Sequence, residues 1–330
     1  MKVTLDLDDL LARGEITRGE YDKLRRLSRG GTAELAFNLL IGFGIVAVAA
    51  ATLALVPSPW TATLIGAALC AGGALLLAGP ERWRLLAQLA VAVGVLSFAG
   101  GVVLLGDGSP GAFLLAAAAA GGAAVLARSA LLMVLAVLAL AASTGARTGY
   151  LHAAYFLGIE QPALTIALFS VFSAAAWLLA RRLPGAFEGL AIAAARTGVL
   201  LVNFGFWVGS LWGDRLGGDR LGEWPGGYAA PPEGGAAWGL PDWVLPDWAF
   251  ALAWAAVLLA AGILAWRRDL RWMLNAAAVF AAIHLYTQWF ERLGATPGSV
   301  LVAGLLALLF ALAMRALNAS LERRAGQPGR

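Results

Sequence analysis

Residues 35–56 read LAFNLLIGFGIVAVAAATLALV, 22 positions without a charge. At about 1.5 Å per helical residue, such a run covers a hydrocarbon core of roughly 30 Å. Lys2, Arg13, Arg18, Lys23, Arg25, Arg26 and Arg29 precede it. Basic flanks stay on the cytoplasmic side, so this run sets the orientation of every later one. In lipid each backbone polar group must be satisfied within the protein, which leaves helices or closed barrels. A run of this length selects helices.

Further apolar runs lie at 61–79, 85–106, 112–127, 130–146, 162–180, 190–212, 248–266, 272–290 and 299–317. The expected fold is therefore an all-α, polytopic bundle of about ten transmembrane helices, preceded by a short cytoplasmic helical pair. Composition agrees: 60% of residues are hydrophobic and 13% charged, against about 25% charged in a soluble domain. Mean hydropathy is +0.77. The expected divisions are a cytoplasmic head at 1–34, seven spans over 35–212, a long outer (periplasmic) loop at 213–246, three spans over 247–317 and a cytoplasmic tail at 318–330. The runs at 112–127 and 130–146 are short for a crossing. If neither crossed, both termini would still lie inside.

Charge placement tests this layout. Of 24 Lys and Arg residues, seven fall in the head, eight in inner loops and four at the C-terminal end, against four outside: Arg147, Arg215, Arg220 and Arg292. Arg196 alone falls inside a span. This is the asymmetry of a protein with both termini in the cytoplasm. The net charge of +4 thus reflects span ends and not a nucleic-acid surface. The acid-containing head and the long first run argue against a cleavable signal peptide. Abundant Ala, Gly, Leu and Arg with two Lys suggest a bacterium with a GC-rich genome, hence its inner membrane.

In the head, LDLDDLLA at 5–12 suits a short helix with Gly14 as its stop. Thr17-Arg18-Gly19-Glu20 reads as a capping box. A second helix over 18–28 then aligns Tyr21, Leu24 and Leu27 on one stripe. The pair is too short for a core of its own. It must dock on the membrane surface, on the rest of the chain or on a partner, so residues 1–30 are the expected surface for self-association or a protein partner.

Polar groups inside the apolar region are the remaining places for chemistry. Arg196 is costly within a span and is a functional candidate, unless the crossing starts at Thr197 and the side chain snorkels. His284 and Gln288 are four apart and share a helix face. With Glu291, Arg292 and the outer-side Arg147, His152 and Glu160, they can frame a polar vestibule for a small ligand or for protons. The competing reading is an aromatic belt of Tyr286, Trp289 and Phe290 with His284 hydrogen-bonded in the bundle.

Gly205, Gly209 and Gly213 form a small-residue stripe, for internal packing or for a homodimer seam. The loop at 213–246 sets Asp214, Asp219 and Glu223 among Trp212 and Trp224. That mixture suits a sugar, a cation or a cell-wall partner, or an interfacial belt. Asp6-Leu7-Asp8-Asp9 looks like a metal-binding pair of acids, but acids also suit a helix start. Cys70 is the only cysteine, so no internal disulfide is possible. No nucleotide, zinc-protease or nucleophile-elbow motif is present. No catalytic, cofactor or metal residue is assigned, and an enzyme has no residues to stand on.

LLARGEITRGEYDKLRRL at 10–27, directly before a polytopic region, resembles the N-terminal part of a bacterial family of membrane proteins, domain of unknown function 2157. HLYTQWFERLGATPGSVLVAGLLALLFAL, which starts at His284, is similar to members of the same group. The resemblance implies a bacterial inner-membrane protein and assigns no activity. Two functions are carried forward: a non-enzymatic protein that docks through its head, and a secondary transporter of a small molecule. Ten spans with both ends inside would suit two inverted five-span repeats, although no repeat stands out between 35–146 and 162–317. An enzyme acting on lipid or cell-wall precursors would have only the outer polar groups to use.

Overall fold

The computed structural model describes residues 10–11, 13–80, 83–151, 154–216, 243–294 and 296–325. Among them, ten helices carry the fold: α1 Arg18–Leu55, α2 Pro59–Leu77, α3 Arg84–Leu105, α4 Pro110–Ala127, α5 Ala130–Ser143, α6 Pro162–Ala180, α7 Ala186–Trp212, α8 Asp247–Arg267, α9 Arg271–Leu293 and α10 Pro297–Ala325. Six of them, α2, α3, α4, α6, α7 and α8, are long and apolar enough to cross a membrane. Shorter apolar stretches occur at Leu40–Leu55, Ala130–Ser143 and Pro297–Leu309.

The chain ends of these helices follow turn chemistry. α2, α4, α6 and α10 each begin on proline, and α8 begins directly after Pro246. Proline at the first helical position has a preset φ and lacks only an N–H that would be unpaired anyway. Ser58 Oγ accepts from Trp60 N–H at 3.3 Å, and Ser109 Oγ accepts from Ala112 N–H at 3.4 Å. The turns before the odd helices carry arginine instead: Arg128, Arg181, Arg182, Arg267 and Arg268.

Contacts divide the chain into two compact units, residues 1–143 with 179–194 and residues 144–178 with 195–330. In the first, α2 and α3 pack most extensively. A Cβ added to Gly94 would stand 2.7 Å from Cys70 N and 2.8 Å from Gly66 O. One added to Gly73 would stand 2.6 Å from Val91 Cγ2. Gly66 on α2 thus faces Gly94 on α3, Gly73 faces Val91 and Ala87, and Gly101 faces Thr63 and Pro59, with the backbones almost touching, as small residues allow between helices in lipid. Cys70 sits in this seam, its Sγ 3.8 Å from Val91 O. Ala116, Ala120 and Ala124, four apart on α4, are buried, and Ala120 and Ala124 share a cluster with Leu132 and Ala136 of α5.

In the second unit, Phe206, Phe250, Trp254, Leu258 and Phe280 form the core of α7, α8 and α9. Large side chains face outward: Phe43 is 74% exposed, Leu75 76% and Leu259 67%. Small residues inside and leucine outside invert the soluble pattern, as a lipid surround permits.

Three elements differ from expectation. The expected second head helix and expected first span are one 38-residue helix, α1, that runs through Gly30 and Gly31 without a break. Residues 146–159 contain an antiparallel pair, β1 Ala146–Leu151 and β2 Ala154–Ile159, with Ala146 opposite Ile159. The sequence marks 147–161 only as an outer connection. The long loop is bounded by a second pair, β3 Asp214–Leu216 and β4 Trp243–Leu245. Most of that loop, and Asp6, Asp8 and Asp9, lie outside the described residues.

Candidate functional site

Three helices of the second unit line up polar side chains against one another. Asn203, Trp207 and Ser210 follow at spacings of four and three on α7, so they share a face. On α9, Thr287 and Gln288 lie three and four residues after His284 and so neighbour it on one side of the helix. Trp254 of α8 is fully buried between Phe250 and Leu258.

Hydrogen bonds join these faces. Trp254 Nε1 donates to Asn203 Oδ1 at 3.0 Å, and Asn203 Nδ2 donates to Val199 O at 2.9 Å. Trp207 Nε1 donates to Thr287 Oγ1 at 3.1 Å, while the Thr287 hydroxyl donates to Ile283 O at 2.7 Å. Gln288 Nε2 reaches Ser210 O at 3.4 Å, and Arg292 Nε donates to Gln288 Oε1 at 3.4 Å. His284 stands edge-on to Trp254, ring centroids 4.8 Å apart. Its Nδ1 is buried and makes no hydrogen bond. Each of the two indoles, an amphipathic group that needs a partner when buried, is thus held by a short side chain of another helix.

The seam offers hydrogen-bond donors, acceptors and one imidazole, and its side chains named above include no carboxylate. Among the described residues no three His, Cys, Asp or Glu side chains come together. What these bonds do is orient the three helices against one another.

His284 and Gln288 are therefore brought to one seam, with Arg292 beyond them. Glu291 is exposed at the end of the same helix. Arg196 is elsewhere: it is exposed, with its guanidinium 5.1 Å from the Trp272 ring centroid. Trp272 precedes His284 by twelve residues, about 18 Å along α9, so Arg196 does not join the seam. Arg147 lies in β1 opposite Gly158. The Arg147 side chain and the whole of His152 lie outside the described residues, and Glu160 N–H closes the hairpin base on Gly145 O at 3.2 Å.

The glycine stripe of α7 faces three neighbours within the chain. A Cβ on Gly205 would stand 2.9 Å from Ile166 Cγ1, and one on Gly209 would stand 2.6 Å from the Phe250 ring. Gly213 has φ +68° with Leu245 O at 2.7 Å from a Cβ, and turns the chain out of α7. Directly after it, Asp214 is buried and its Oδ2 accepts from Ala163 N–H at 2.8 Å. One acid of the expected loop site is thus a cap for α6, 51 residues away in sequence.

In the head, Thr17 Oγ1 accepts from Glu20 N–H at 3.3 Å, and Glu20 Oε2 accepts from Thr17 N–H at 2.8 Å. The Thr17 N–H, and after it the Thr17 hydroxyl, hold the Glu20 carboxyl below its usual range. Gly14, with φ +73°, ends the preceding turn: its N–H meets Leu11 O and that of Glu15 meets Leu10 O. Tyr21 is half-buried and Leu24 is 39% exposed. The Leu27 side chain lies outside the described residues.

Asn203, Trp207, Trp254 and Thr287 were not singled out from sequence. The signal was available, since Asn203 is the one side-chain amide of α7, but its partner is 51 residues away. No protein-family model, curated protein or solved structure matches the chain.

Proposed function

We propose that the chain is a ten-span bacterial inner-membrane protein with both termini in the cytoplasm, of the group with domain of unknown function 2157. It acts without catalysis, through a head that docks on a second copy or on a protein partner. The observation that carries this reading is α1: a capped head and the first apolar run form one uninterrupted helix. At about 1.5 Å per residue the part before residue 35 extends roughly 25 Å, and it leaves Leu24 exposed. Prolines at the starts of even helices and arginines before odd ones support alternating sides.

The test compares the native mass and co-purifying proteins of the full-length chain with those of a version lacking residues 2–30. An oligomer or stoichiometric partner should vanish with the head while membrane insertion persists. Equal masses and no partner in either sample would discard the reading.

A secondary transporter is the second reading. It is favoured by the polar seam around His284 and by a change of unit after Ser143, with residues 179–194 returning to the first unit. With an inside N-terminus, five helices before that point and five after would run in inverted order. Under this reading His284→Ala abolishes flux in proteoliposomes without lowering membrane abundance; full flux in that variant would remove His284 from any transport path.

A further inference from the structure

A second polar feature lies in the first unit. A cavity of about 420 Å³ opens where the ends of α2 and α4 meet the start of α3. Its lining includes Leu76, Leu77, Pro80, Arg84, Leu126 and Arg128. Two arginines from separate turns thus share a cavity with three leucines.

Its surroundings favour an anion. α3 starts at Arg84 with no side-chain cap on its N-terminus, and the positive end of a helix dipole favours negative charge. The opposing C-terminus of α4 is partly covered, since Gln88 Nε2 donates to Ala127 O at 3.1 Å. Arg128 occupies the C-terminal cap of α4 with φ 50°, a left-handed conformation that glycine adopts without cost and arginine does not. Its guanidinium stands 5.5 Å from the Phe187 ring centroid, within cation–π range. A side chain kept at a backbone position that disfavours it is a pointer to function.

The leucines decide the kind of anion. Leu126 is 56% exposed and continues onto the outward apolar face of α4 with Val125. A free phosphate would have no use for such a wall; an amphiphile would.

We propose that this cavity binds an anionic phospholipid, with its phosphodiester between Arg84 and Arg128 and an acyl chain along Leu76 and Leu126. Basic pockets between spans on the cytoplasmic side take such headgroups. The proposal rests on the membrane reading but not on the docking function or on the number of spans.

The test is native mass spectrometry of the full-length chain in detergent. Dioleoyl-phosphatidylglycerol is the anionic probe, dioleoyl-phosphatidylcholine the zwitterionic one and inorganic phosphate the free ion. One phosphatidylglycerol should bind more tightly than any phosphatidylcholine and resist millimolar phosphate. At about 1 kcal/mol per basic residue, Arg84→Gln should weaken it about fivefold, and Arg84→Gln with Arg128→Gly roughly thirtyfold. Phosphatidylcholine adducts should not change. Arg128→Gly alone relieves the backbone, so it should keep the helical spectrum and unfold no earlier than the parent.

Unchanged phosphatidylglycerol binding in the double variant would overturn the proposal, as would displacement by inorganic phosphate. The assay is blind to leaflet and topology, so an error in either leaves this result intact. A chain that stayed monodisperse without detergent would instead refute the membrane reading itself.

Discussion

Asn203 does two jobs with one amide, taking the Trp254 indole N–H and giving its own to Val199 O. Asn203→Leu leaves the buried Trp254 donor without an acceptor, so the melting temperature in detergent should fall, by about 1 kcal/mol of stability. Adding Trp254→Phe removes the orphaned donor, and the pair should recover part of that loss. No recovery would mean that the indole is held by packing alone. Glu20 makes a pH-dependent prediction. Its folded-state pKa lies below the usual value near 4.5, so its cap contributes in full above that value and is lost as pH falls through the lower one. Amide exchange at residues 18–21, corrected for intrinsic rates, should lose protection in that acid window, while Glu20→Gln should show no such step. Equal profiles for the two would show that the carboxylate does not hold the cap.

The α2–α3 pair owes its closeness to Gly66, Gly73, Gly94 and Gly101. Gly94→Ala would force its methyl against Cys70 N and Gly66 O; overpacking of this kind costs about 1–3 kcal/mol. Gly100→Ala meets nothing within 4 Å and should unfold with the parent. Equal melting of both variants would show that the seam has slack. This element also marks where sequence reading succeeds and fails. The apolar runs were legible because span length and basic ends are local properties. The seven-residue recurrence of glycine on facing runs was just as visible but acquires meaning only once the runs are paired. The Asp214 cap and the Trp254–Asn203 bond each join positions 51 apart, which no local pattern encodes. The fusion of head and span was missed for another reason. Gly30-Gly31 reads as a break, yet glycine costs a helix only about 1 kcal/mol, which a long capped helix tolerates. The shared face of His284 and Gln288, four apart, was legible in the sequence, whereas the ring that Arg196 stands on, Trp272, is 76 residues away and no local pattern names it.

For the whole molecule, side alternation is the property to measure. In a Cys70→Ala background the chain has no other thiol. Gly111→Cys and Ala230→Cys should then react with a membrane-impermeant maleimide on intact cells, and Ala186→Cys only after lysis. Labelling of all three from one side would break the ten-span reading. Finally, α1 runs as one helix from Arg18 to Leu55, so under the docking proposal its capped end and its apolar stretch share one azimuth. With 3.6 residues per turn, one residue inserted after Ser28 swings the head by about 100° about the helix axis, whereas seven return it to within about 20° of its starting azimuth. Partner capture should therefore rise and fall with the phase of the insertion. Under that proposal α1 is a torque shaft, and a partner that gripped the cap would also set the azimuth of the apolar stretch.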